Sequence, residues 1–235
     1  MTTTLFPVVI LAGGLATRLR PVTETIPKSL VDINGEPFIN YQLRLLQRNG
    51  IKDVVMCVGY LGEQIVTAVG DGSQFGLHIE YSFDGPELLG TAGAIKQTLA
   101  KLPENFFVLY GDSYLPCDFA AVQKTYQNSR KQALMTVYKN EGQWDSSNVE
   151  FKFGQVIAYD KKNKTERMKH IDYGLGIFNQ AVFTPIPEGM NFDLVLLYQT
   201  LVVQQELAAH EVKERFYEAG SFTGIKELEE FLTTK

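Results

Sequence analysis

Residues 11–21 read LAGGLATRLRP. Gly13 and Gly14 follow an apolar run, and Thr17, Arg18 and Arg20 come soon after. Glycines turn sharply and let backbone N–H groups approach a ligand with no side chain in the way. Thr17 adds a hydroxyl donor. Arg18 and Arg20 add cations, and Lys28 in IPKSL adds a third. A guanidinium fork suits phosphate oxygens, and an ammonium acts as a mobile point charge. Pro21 and Pro27 stiffen the segment that carries them. Such a set can bind a polyphosphate; a glycine turn followed by solvated basic side chains is the competing reading. The Gly-Lys-Ser/Thr ending of a P-loop is missing. Ala16 and Arg18 stand where a dinucleotide fingerprint would carry further glycines. Two carboxylates lie farther on, Asp112 in YGDS and Glu218 in FYEAGS. An Asp after Gly at a strand end also serves as a turn or cap residue.

Elements must hold these groups in place. Residues 8–11 form an apolar run rich in β-branched side chains, which suits a strand buried on both faces. Residues 37–50 put Phe38, Tyr41, Leu45 and Leu46 on one helical stripe, with Pro37 at the start and Gly50 as the stop. Residues 53–60 read as a second buried strand, 62–70 as a short helix ending at Gly70, and 77–83 as an alternating strand. A helix follows at 91–102, then a strand at 106–113 that runs into Gly111 and Asp112. This order predicts an α/β fold with a Rossmann-like, mostly parallel sheet and helices on both faces. Residues 133–140, 147–152, 155–161 and 169–178 read as further strands with short connections, which makes the sheet mixed. Helical patterns return at 192–207 and 224–232. No repeat, low-complexity tract or linker interrupts the chain. Residues 1–235 therefore read as a single domain, with a first half over 1–115 and a second over 116–235. Ligands of open parallel sheets sit at the carboxyl ends of the strands. That puts LAGGLATR, GDS and FYEAGS on one rim.

Composition narrows the classes. Hydrophobic residues make up 45% of the chain and charged residues 21%, and the formal net charge is -5. That balance suits a globular protein and lacks the basic excess of a nucleic-acid-coating surface. Two cysteines in unrelated contexts give neither a disulfide framework nor a zinc spacing, which fits a reducing cytoplasm. The apolar stretch near the N-terminus is too short to span a bilayer and lacks a basic flank, so neither membrane insertion nor export is expected.

LAGGLATRLRPVTETIPKSLVDINGEPFI closely resembles the signature of the sugar-1-phosphate nucleotidylyltransferases, L-A-G-G-x-G-T-R-L-x-P-x-T followed by P-K. The resemblance continues in order through LLGTAGAI (88–95), LYGDS (109–113), HIDYGLGIF (170–178) and FYEAGSFTGI (216–225), over essentially the whole chain. The nearest look is to heptose and mannose 1-phosphate guanylyltransferases. The resemblance implies the nucleotide-diphospho-sugar transferase type of fold, without the β-helix domain of some relatives. It also implies a reaction: a sugar 1-phosphate oxygen attacks the α-phosphorus of a nucleoside triphosphate, giving a nucleotide-sugar and pyrophosphate.

Residue roles follow from the same resemblance. Leu11, Ala12, Gly13 and Gly14 would face the base and ribose, and Gly14, Ala16 and Thr17 would cradle the phosphates. Gly90 and Thr91 belong to the matching nucleotide loop. Arg18 would sit on the β- and γ-phosphates, and Lys28 near the α-phosphate. Asp112 matches the metal-binding aspartate, and Mg²⁺ is the implied cofactor. Glu218 stands where the family usually has Asp before Gly, and is the expected second ligand. Ala16 replaces a usual Gly. On the sugar side, Asp160 and Lys161 resemble a Glu-Lys pair, with Lys162 as the one-residue alternative. Gly174 matches a glycine that lies against the sugar, and Asn148, Asp172 and Trp144 are expected pocket residues. Glu87 precedes the LLGTAGAI loop and could accept two hydrogen bonds from guanine. GTP therefore ranks first, with CTP or UTP next. A cytidylyl- or uridylyltransferase for another phosphorylated acceptor, such as phosphocholine or an amino-sugar phosphate, is the alternative enzyme. A non-catalytic nucleotide-binding subunit is the alternative outside enzymes. The expected partners are a nucleoside triphosphate and a sugar 1-phosphate, with no nucleic acid or membrane, and a homo-oligomer is compatible with the sequence.

Overall fold

The computed structural model of the protein describes residues 4–14 and 17–234. The chain runs β1 (Val8–Leu11), β2 (Asp32–Ile33), β3 (Glu36–Pro37), α1 (Phe38–Arg48), β4 (Asp53–Val58), α2 (Gly62–Val69), β5 (His78–Phe83), α3 (Gly90–Thr98), β6 (Asn105–Tyr110) and β7 (Ser113–Tyr114). It continues as α4 (Phe119–Ser129), β8 (Ala133–Lys139), β9 (Val149–Lys152), β10 (Gln155–Tyr159), β11 (His170–Asn179), α5 (Leu194–Val203), β12 (Leu207–Val212), β13 (Tyr217–Glu218) and α6 (Phe222–Thr233).

Nine of these strands form one sheet in the order β10-β9-β11-β6-β1-β4-β5, with β8 on β11 and β12 on β8. β6, β1, β4 and β5 are parallel. β11 then pairs antiparallel with both β6 and β8. The alternation of β1 explains why helices cover both faces. Val8 and Ile10 pack with Ile39, Leu43 and Leu46 of α1 and Val122 of α4. Val9 points the other way, into a core with Ile95 of α3 and Leu197 and Leu201 of α5. A third, smaller core holds Phe38, Tyr114, Ala219 and Leu228, and fixes α6 beside α1.

β11 carries the irregularity that matters for the site. It pairs with β8 at Ile171 and Asp172 and again from Gly176, with a register break between. Gly174 sits in the break at φ 102, in the left-handed half of backbone space. Leu175 stays paired with Leu109 of β6 but has no partner on β8, where Thr136 Oγ1 donates to its carbonyl at 2.5 Å.

Two elements depart from the sequence reading. Residues 119–129 form a helix, started by Asp118, whose carboxylate accepts the Ala121 N–H at 3.0 Å. The helical pattern expected over 192–207 stops at Val203, and Leu207–Val212 form a strand parallel to β8. β12 is alanine-rich and weak in β-propensity, so pairing with β8 decides its conformation. Among the described residues, no helix is long and apolar enough to cross a membrane.

Candidate active site

The carboxyl ends of β1, β4, β5 and β6 open on a cavity of about 260 Å³. Leu11, Ala12, Gly13, Gly14, Gly90, Thr91, Lys28 and Asp112 line it, as do Cys57, Asp84, Leu88 and Tyr110. Its floor depends on close backbone approach. A Cβ on Gly13 would lie 3.2 Å from the Gly59 nitrogen, and one on Gly111 would press into the Leu11 carbonyl at 2.6 Å. The Thr91 hydroxyl is engaged, donating to Asp193 Oδ1 at 3.1 Å and accepting from the Leu194 N–H at 2.7 Å. Ala16 lies outside the described residues. Thr17 opens a short 3-10 turn (Thr17–Leu19) and is not among the lining residues. Glu87 is exposed and outside the lining; the carboxylate presented here is Asp84. Burial raises the Asp84 carboxyl above its ordinary value, partly offset by the Leu89 N–H that its Oδ2 accepts at 3.3 Å.

Two ends of the sequence meet at the mouth of this cavity. β13 pairs antiparallel with β7, setting Glu218 opposite Ser113, and the Ala219 N–H donates to the Asp112 carbonyl at 2.8 Å. FYEAGS is thereby fastened beside GDS. Lys28 Nζ donates to Asp112 Oδ2. A Cβ on Gly220 would collide with the Glu218 carboxylate, with Lys28 Nζ and with the Arg18 guanidinium. Arg18, Lys28, Asp112 and Glu218 therefore form one cluster around Gly220, whose missing side chain leaves room for the three charged ends to meet. Glu218 is steadied by its own turn, accepting from the Gly220 N–H at 2.6 Å and the Ser221 hydroxyl at 2.5 Å. Ser221 Oγ in turn accepts from the Gly224 N–H at 3.0 Å and caps α6. Gly220 was not singled out from sequence, because the crowding around it exists only once residues far apart in the chain converge.

A second cavity, of about 300 Å³, lies on the other side of Asp112. Its walls include Arg18, Asn148, Lys161, Lys164, Asp172, Gly174 and Glu218, and it shares Tyr110 and Asp112 with the first. The β11 irregularity organises this wall. Asp172 Oδ1 accepts from the Gly174 N–H at 3.1 Å, its Oδ2 accepts from the Tyr159 hydroxyl at 3.0 Å, and its own N–H donates to Asn148 Oδ1 at 2.9 Å. Burial holds the Tyr159 phenol far above its ordinary value, so it stays a donor. Lys161 Nζ stands over the Tyr110 ring at 5.2 Å and 3.9 Å from Asp172 Oδ2.

The structure separates several residues that the sequence left together. Lys161 lines the cavity and Lys162 does not. Asp160 folds back on its own turn, accepting from the Lys162 and Asn163 N–H groups at 2.7 and 2.8 Å. Trp144 is not in the lining either. Its ring lies 3.4 Å from the Arg215 guanidinium, a cation–π contact beside the pocket.

Residues 7–191 match the family model described as nucleotidyl transferase. The chain belongs to that family. Among curated relatives of this nucleotidyl transferase chain is a UTP–glucose-1-phosphate uridylyltransferase of Synechocystis, 31% identical over 201 residues, which are 79% of this chain and 52% of the relative. Another is a D-glycero-α-D-manno-heptose 1-phosphate guanylyltransferase of Campylobacter jejuni. It is 35% identical over 155 residues, covering 66% of this chain and 67% of the relative. The chain spans about half the length of the first of these. Among solved structures, HddC of Yersinia pseudotuberculosis complexed with GMP-PN superposes with a TM-score of 0.78 at 24% identity, over 97% of this chain and 100% of that one. That likeness is one of fold: a mixed, mostly parallel sheet between helical layers.

Proposed function

We propose that this chain transfers a nucleotidyl group from a nucleoside triphosphate to a sugar 1-phosphate. The observation that carries the reading is the pair of cavities meeting at Tyr110 and Asp112, with Arg18, Lys28 and Glu218 at the junction. A triphosphate in the first cavity and a phosphorylated acceptor in the second would bring their phosphates together at Arg18 and Lys28. An acceptor phosphate oxygen forms a bond to the α-phosphorus. The bond from that phosphorus to the bridging oxygen breaks, and pyrophosphate leaves with the electron pair. Little covalent chemistry falls to the protein, which aligns two anions and offsets their repulsion. Lys28 exchanges Asp112 for an α-phosphate oxygen, and Arg18 holds the departing phosphates. Lys161, braced by Tyr110 and Asp172, holds the acceptor phosphate.

The residues fit Mg²⁺. Asp112 and Glu218, held side by side by the β7–β13 pairing, would offer two hard carboxylate ligands. One or two carboxylates, with water and phosphate oxygens completing the shell, is how Mg²⁺ is held in phosphoryl-transfer sites. Bound there it would neutralise phosphate oxygens and act as a Lewis acid. GTP is our preferred donor, and heptose or mannose 1-phosphates lead the acceptors. A pyrophosphate-release screen crossing five triphosphates with hexose, amino-sugar and heptose 1-phosphates and phosphocholine tests this. Release with one sugar phosphate supports the proposal. Release with phosphocholine alone, or with no pair, overturns it.

A further inference from the structure

Two walls of the second cavity come from distant parts of the chain. Asp145 and Ser146, on the connection between β8 and β9, supply one. Phe216 and Glu218, from the β13 segment, supply the other. The residue just before each wall is Trp144 on one side and Arg215 on the other. Neither lines the cavity. They meet beside it, with the Arg215 guanidinium 3.4 Å from the centre of the Trp144 ring.

Both partners of this stack are firmly mounted. The Trp144 turn is built on Asn140, which is fully buried. Asn140 Nδ2 donates to the Asp145 carbonyl at 2.6 Å, and its Oδ1 accepts from the Trp144 N–H at 3.3 Å. Asn140 thereby makes one unit of Trp144 and Asp145, so that moving the ring moves the carboxylate. On the other side, Arg215 Nη2 donates to Glu227 of α6. Its guanidinium also lies 4.8 Å from the centre of the Tyr217 ring, which stacks on Phe231 of α6 at 4.2 Å. Arg215 Nε is buried with no hydrogen-bond partner among the described residues. Ring contact takes the place of an acceptor on that edge. A cation gains most from an aromatic face where water is excluded, and a flat guanidinium stacks on it as an ammonium does not.

On the proposed nucleotidyl-transfer reading, we propose that Arg215 is a positioning residue for the acceptor. Stacked on Trp144, it bolts the Asp145–Ser146 wall to the Phe216–Glu218 wall and sets the width between them. Asp145 offers acceptor oxygens, and Ser146 a hydroxyl that donates and accepts, which suits the hydroxyls of a sugar. β13 is fastened independently by its pairing with β7. Loss of the stack therefore frees the Trp144 turn and leaves Glu218 in place. The first cavity does not border the stack. Triphosphate binding there should be unaffected.

The test is steady-state kinetics of the full chain, with the triphosphate and sugar 1-phosphate that together release pyrophosphate. Trp144→Ala should raise the acceptor KM about fivefold or more, with kcat and the triphosphate KM within about twofold of wild type. Trp144 is 43% exposed, so its truncation opens no hole in the core. Trp144→Phe keeps a ring for the cation and should recover most of the loss. Arg215→Met should match Trp144→Ala, and the double variant should be no worse than either. Trp144 is the one tryptophan of the chain, so its emission reports the stack directly. Acrylamide should quench it more readily in Arg215→Met than in wild type. An unchanged acceptor KM in Trp144→Ala overturns the assignment, as do multiplying effects in the double variant or unchanged quenching. In each of those cases nucleotidyl transfer stands. If no pair releases pyrophosphate, both fall.

Discussion

At the scale of single residues, the junction cluster makes the strongest predictions. Lys28→Met should lower turnover roughly 100-fold or more with the unfolding midpoint little changed, because in the proposed mechanism the side chain offsets charge that develops in the transition state. Gly220→Ala should lose activity to a similar extent, about a hundredfold, because a methyl there pushes apart Arg18, Lys28 and Glu218. Steady-state kinetics beside thermal unfolding separates that outcome from a folding defect. Glu218→Gln keeps the size but loses the charge and one of the two acceptor oxygens that its turn uses. It should raise the half-saturating Mg²⁺ concentration about tenfold or more, read by titrating Mg²⁺ in the pyrophosphate assay. Arg18, Lys28 and Asp112 were legible in the sequence because their motifs carry fixed spacings. Glu218 was legible as a departure at a known place. Asp84 was not, because the turn after β5 decides which carboxylate points inward. Glu87 fits the spacing equally well but is exposed.

At the scale of elements, β11 ties packing to the second cavity. Thr136→Val removes the hydroxyl that satisfies the Leu175 carbonyl in a fully buried position. It should cost about 1–3 kcal/mol in urea unfolding, the price of an unpaired buried carbonyl. Gly174→Ala forces a Cβ onto φ 102 and to 3.3 Å from Ser113 Oγ. It should weaken acceptor binding more than triphosphate binding, visible as a raised acceptor KM. The parallel half of the sheet was readable from apolar runs and glycine stops. α4 carried a readable signal that the reading passed over: Phe119, Val122 and Tyr126 share one face behind an Asp cap. β12 carried no such signal. Ala208 and Ala209 favour a helix locally, and only the open edge of β8 makes a strand of them. The irregularity at Gly174 was visible as a glycine, but the pairing that it interrupts was not.

At the scale of the whole molecule, helices on both faces of one sheet bury groups whose titration then bears on stability. His210 on β12 shows the sign. Burial lowers its imidazole below the ordinary 6.5, while Asp118 and Glu214 pull the other way. Thr125 Oγ1 contacts its Nδ1 at 2.8 Å and donates its own proton to the Ala121 carbonyl, so Nδ1 carries the hydrogen. Just below pH 6.5 the unfolded chain takes up a proton that the folded chain refuses, so stability falls as the solution is acidified. Urea midpoints between about pH 7.5 and 5.5 should decline in wild type, and decline less in His210→Gln.

The Lys28–Asp112 pair has a consequence for the repeated use of the site. With 19% and 25% of their side chains exposed, these groups would be costly to leave as lone charges. Each is the other's resting partner. On the proposed reading, an arriving anion would take the ammonium from the carboxylate, and a departing anion would hand it back. Emptying the site would then strand no charge, and release of a multiply charged product would be resisted less than by a lysine with nowhere to return. The junction would reset itself between one occupant and the next.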